Sequence, residues 1–135
     1  MTPAVKGRTR VPRPVRSLVR IPVEMPFGNE TWLLGYLIDT IYTRDVWMHR
    51  VDVARATGRD LELTAEHDGR LVADVVAEWA RRHGRSFTLV LDGPAGGTFT
   101  APGEGPELRL DAVDFARTVA GRADGEGLLA TAVAF

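Results

Sequence analysis

Asp45 and His49 are the residues of this sequence whose types and spacing could do chemistry together. Four residues apart on a helix, their side chains lie one turn from each other on one face. A carboxylate oxygen and an imidazole nitrogen each bind a divalent cation at about 2.0–2.2 Å, so the pair can share one metal ion. The same spacing also suits a plain helical hydrogen bond, with Asp45 holding the imidazole and Arg44 or Arg55 pairing with the acids. A catalytic zinc takes three protein ligands and keeps a fourth position open, so two ligands do not make a tight site. The remaining histidines, His67 and His83, flank the next helix and read as surface or cap residues rather than as the third ligand.

Other constellations carry less. Gly93–Pro94–Ala95–Gly96–Gly97 has backbone N–H groups that could cradle an anion, but the run reads first as a hairpin turn. Trp32, Trp47 and Trp79 read as core or interface anchors. No serine has a histidine and an acid in triad-like context, which leaves a serine-hydrolase reading without support. The chain has no cysteine, which excludes disulfides, thiolate metal sites and cysteine nucleophiles and fits a cytoplasmic location.

The elements that must position the pair follow from periodicity. Residues 30–57 contain no proline, start after Asn29 as an N-cap and end at Gly58, which predicts one long helix. On it, Leu34, Ile38 and Ile41 form a stripe whose continuation carries Asp45, His49 and Asp52. DLELT reads as a short extended piece. A second helix is expected over 65–83, with Leu71, Val72, Val75, Val76 and Trp79 at helical spacing, Thr64 as cap and Gly84 as terminator. The period then switches to two. SFTLVLDG and GTFTA predict a hairpin around PAGG, and ELRLD predicts a third strand. Asp111 caps a short helix that ends at Gly121, and GLLATAVAF reads as a last strand. Grouped strands among helices predict an α+β fold with an antiparallel sheet covered by helices.

At 135 residues the chain is one domain by the usual size prior, and no apolar run is long enough to cross a bilayer. The net charge of −1 hides an asymmetry. Residues 1–20 hold six basic residues and no acid, which leaves eleven basic and eighteen acidic residues for the rest. With five prolines in its first 26 residues, the segment 1–28 is expected to be a basic, largely irregular arm. It has no apolar block of a secretory signal, and its basic stretch 1–20 has no aromatic residue for base stacking. It therefore reads as a solvated leader rather than a nucleic-acid contact.

The stretch GYLIDTIYTRDVWMHRVDVARATG, followed by LTAEHDGRLVADVVAEWARRHG, FTLVLDGPAGGTFTA and the closing LLATAVAF, resembles the actinobacterial mycothiol-dependent maleylpyruvate isomerase family over residues 22–135. The resemblance implies a DinB-like, metal-binding four-helix bundle followed by a sterol-carrier-like α+β domain. It places Asp45 and His49 at the acid–x–x–x–His pair of the last bundle helix. It thereby implies a divalent metal, zinc first, with mycothiol as thiol cofactor and a small-molecule substrate. Arg122 matches a late arginine that binds a carboxylate in catalysis.

The resemblance covers only the last bundle helix, over 29–58, and the second domain, over 59–135. The family's remaining histidine ligand has no counterpart here. Two functions are therefore weighed. One is a reduced member of the family acting in thiol-dependent isomerisation or transfer. The other is a non-catalytic sterol-carrier-like binding or oligomerisation module. The uncovered helix, with Leu33, Leu34, Leu37, Ile38, Ile41 and Trp47, predicts self-association into a homo-oligomer.

Overall fold

The computed structural model describes residues 20–25 and 28–135, so most of the expected basic arm lies outside the described residues. The fold is α+β, in two compact units. One takes the chain up to Ala56 together with Ala134–Phe135, and the other takes Thr57–Val133.

In the first unit, β1 (Arg20–Met25) pairs antiparallel with β2 (Gly28–Leu33), with Arg20 opposite Leu33 and Met25 opposite Gly28. Pro22, opposite Thr31, is compatible with an edge strand, in which alternate N–H groups point away from the partner. The helix therefore starts later than expected. Its first turn, α1 (Leu34–Tyr36), runs into a π segment, Leu37–Ile41, and then into α2 (Tyr42–Thr57). The Tyr42 N–H donates to the Leu37 carbonyl five residues back, which is the wide turn of a π-helix. The Thr43 hydroxyl donates to the Asp39 carbonyl at 3.1 Å, satisfying an acceptor on the widened turn.

This insertion has a consequence for the expected stripe. A π turn adds one residue, and each i+4 step rotates the face by about 40°. Leu34, Ile38, Ile41, Asp45, His49 and Asp52 accordingly do not share one face: Ile41 is buried while His49 points outward. The inward face of α2 is Arg44, Trp47, Met48 and Val51, at helical spacing and all buried. The expected apolar patch is mostly closed as well. Ile41 and Trp47 are buried, Leu34, Leu37 and Ile38 are half-buried, and of that set Leu33 alone counts as exposed. Ile41 packs with Ala134 among Val23, Tyr36 and Leu37. Buried Arg44 donates from Nη1 to the Ala134 carbonyl at 3.0 Å, and its guanidinium lies 5.8 Å from the centre of the Phe135 ring.

The second unit is a three-stranded sheet with two helices. α3 (Asp68–His83) turns Val72, Val75, Val76 and Trp79 inward. It ends at Gly84, whose left-handed φ of 63° closes the helix by an N–H bond to the Ala80 carbonyl. The expected cap, Thr64, sits just upstream: its hydroxyl accepts from His67 N–H, and its N–H donates to the buried Asp68 carboxylate at 2.7 Å. The stretch before it, expected as a short extended piece, forms no strand. β3 (Phe87–Asp92) is central, with Phe87, Leu89 and Leu91 buried on one face. β4 (Gly97–Ala101) pairs with it antiparallel through the expected hairpin.

β5 (Glu107–Asp111) pairs with β3 in parallel, so the sheet is mixed rather than wholly antiparallel. The cause is the loop 102–106, which must cross the start of β3. It is held there by Ser86 Oγ donating to the Pro102 carbonyl and by Thr88 N–H donating to the Pro106 carbonyl. Gly105 permits the crossing, since a Cβ there would collide with the Ser86 carbonyl. Asp111 caps α4 (Ala112–Val119) by accepting from the N–H groups of Val113 and Asp114. α4 buries Ala112, Phe115, Ala116 and Val119.

Trp79 sits at the middle of this core. It meets Phe87 at 4.8 Å and Phe115 at 5.4 Å, both edge to face, and its Nε1–H donates to the Leu128 carbonyl at 2.9 Å. The tail is not the expected strand. Gly127–Ala130 forms a 3₁₀ turn, and Val133 N–H bonds the Val119 carbonyl at the end of α4 instead of joining a ladder.

Candidate functional site

α2 places Asp45 and His49 on adjacent turns. Asp45 Oδ2 lies 3.5 Å from His49 Nε2. The side chains are 51% and 64% exposed, so the helix offers the pair to solvent rather than enclosing it. The donor set is a carboxylate oxygen and an imidazole nitrogen, which suits zinc, cobalt or manganese. It fits half of a metal centre. Among the described residues, no group of three or more histidines and acids could hold an ion, so Asp52 does not complete the set. As it stands, the contact is also the geometry of an exposed ion pair, worth about 0.3–0.5 kcal/mol when the histidine is charged.

Arg122 belongs to the second unit. It is half-buried, follows Gly121 at the end of α4, and its N–H bonds the Arg117 carbonyl at 2.8 Å in the closing turn of that helix. The structure thus brings Asp45 and His49 together and places Arg122 in a separate compact unit.

The second unit also holds a cleft of about 890 Å³ with no counterpart among the candidate residues of the sequence. His83, Arg85, Ser86, Glu104, Gly105 and Leu128 contribute to its walls. It opens where the last turn of α3 meets the crossing loop, two segments about twenty residues apart. Nothing in the spacing of a lone histidine before a glycine signals such a site. His83 accepts the Arg85 N–H at Nδ1, 2.9 Å away, a cap-like bond just beyond the helix end. In the neutral ring the proton then sits on Nε2, which is buried with no hydrogen-bond partner. The ring meets Trp79 edge to face at 4.3 Å and Phe87 at 5.4 Å. Burial pushes the His83 pKa below its ordinary value, and the nearby Arg85 cation pushes it the same way. His67 is exposed and stands at the start of α3.

No protein-family description, curated protein or solved structure matches the chain. No helix among the described residues is long and apolar enough to cross a membrane.

Proposed function

We propose that this chain is a divalent-metal-binding protein akin to the mycothiol-dependent maleylpyruvate isomerases, with Asp45 and His49 as metal ligands. The observation that carries the reading is the exposed Asp45–His49 contact at 3.5 Å on α2. A carboxylate and an imidazole held one turn apart lose little freedom on closing round a cation, and their exposure leaves room for further ligands. Zinc is the metal of choice for this donor pair. When bound, it supplies Lewis acidity and a binding point for a thiolate such as that of mycothiol.

Arg122 takes the role of binding a substrate or cofactor carboxylate, since a guanidinium makes paired N–H bonds to that group. The chemistry served is thiol-dependent isomerisation or transfer on a small molecule. The test is metal content of the purified full chain beside His49→Ala and Asp45→Asn. Zinc present in the parent and lost from both variants supports the reading; equal content in all three overturns it.

A second reading, a non-catalytic binding module, is favoured by the cleft at His83. Its walls mix charged and apolar groups, so its ligand is small and polar rather than sterol-like. Saturable shifts of the His83 ring resonances on screening small carboxylates and amides support it. Their absence over the whole screen removes it.

A further inference from the structure

The pair supplies two donors where a protein-bound zinc takes at least three, and the described residues add no third. The missing donors therefore come from outside the described fold, and the face around the pair bears on their source. Tyr42 and Val53 on α2 are 47% and 61% exposed, one turn before Asp45 and one turn after His49. At 100° per residue they form a line along the helix, with half-buried Val46 beside it. Asp45 and His49 lie on one flank of that line, and Val46 and Arg50 on the other. Apolar side chains thus bracket the donor pair in the open.

Such a face is self-complementary. Two antiparallel copies of a helix related by a two-fold axis set like flank against like flank. With the axis level with residue 47, Asp45 of each copy stands across from His49 of the other. Tyr42 of each then lies within about one residue of the level of the other's Val53, so the apolar ends cover each other. The two flanks together present two carboxylates and two imidazoles, the four donors of a closed tetrahedral zinc or cobalt site.

We infer that the partner completing the site is a second copy of this chain, with one metal ion held between the two Asp45/His49 pairs. The inference rests on the metal-binding reading of that pair. It needs no contact through the buried Ile41 and Trp47.

The test is a cobalt(II) titration of the metal-stripped full chain, read by absorbance, with mass followed by light scattering. The expected result is one cobalt per two chains, tetrahedral in its spectrum, on a particle of twice the chain mass. His49→Ala abolishes the cobalt spectrum. The double variant Tyr42→Ser/Val53→Ser keeps every donor and adds no charge, yet weakens cobalt binding by about tenfold through lost apolar burial. One cobalt per chain, or cobalt on a monomer, overturns the shared site and leaves metal binding by the pair intact. No cobalt bound at any concentration below aggregation overturns the metal reading itself.

Discussion

Replacing Trp79 by Phe isolates the interaction that ties the tail of the second unit to its core. Trp79 is fully buried, and its Nε1–H is a donor to the Leu128 carbonyl at 2.9 Å. Phenylalanine keeps a six-membered ring for Phe87 and Phe115 but removes that donor and the pyrrole half of the indole. The lost hydrogen bond costs about 1 kcal/mol. The smaller ring leaves a partial cavity and weaker edge-to-face contacts, worth about another 1–2 kcal/mol. The sum is about 2–3 kcal/mol, a large share of the roughly 5–15 kcal/mol that holds an ordinary domain. Urea unfolding followed by far-ultraviolet circular dichroism measures the total. Amide exchange locates it: Thr131 N–H, bonded to the same Leu128 carbonyl, should exchange faster in the variant than in the parent relative to amides of β3. A loss under about 0.5 kcal/mol, with unchanged exchange at Thr131, would refute the reasoning.

Other outcomes follow from single contacts. Gly105→Ala drives a Cβ into the Ser86 backbone and should cost well over about 1 kcal/mol, whereas Gly58→Ala, at a φ of 66° with open space around it, should cost about 1–2 kcal/mol from conformation alone; thermal unfolding of both ranks them, and a milder Gly105 variant contradicts the crossing. Asp111→Ala removes the acceptor for two N–H groups of α4 and should lower stability by about 1 kcal/mol in the same assay, with Asp111→Asn recovering most of it. His83 binds its proton less readily when folded than when unfolded. Stability should therefore fall as pH drops from about 6.5 toward the lower folded value, and the fall should shrink in His83→Phe; identical pH profiles for parent and variant contradict this.

The parts of the fold that were legible in the sequence are those fixed by local chemistry. Gly84 after Arg81, Arg82 and His83 marks a helix end, the run PAGG between alternating residues marks a hairpin, and Asp111 before Ala112 marks a cap. What escaped depended on partners distant in sequence. Asn29 and Glu30 look like a helix start, yet IPVEM upstream alternates and pairs with GNETWL, and pairing decided the state. Asp92 and Asp111 stand opposite each other because β5 runs parallel to β3 after a loop that crosses the start of β3, where Gly105 leaves room for it. LLATAVAF has strand composition but joins no ladder; Trp79 and Val119 bind its backbone instead. At the candidate site, the i,i+4 spacing alone was enough to bring Asp45 to His49, because that contact is local to one helix. The π turn was not legible, and with it went the expected alignment of the pair with Leu34 and Ile38. The cleft at His83 joins a helix end to a loop about twenty residues later and left no local mark.

The most direct test of the central claim is a competitive zinc titration of the full chain against a chromogenic chelator, run beside Asp45→Asn and His49→Ala. The parent should withdraw zinc from the chelator, and either substitution should remove this competition while circular dichroism stays unchanged. A parent that fails to compete, or variants that compete as well as the parent, would contradict it.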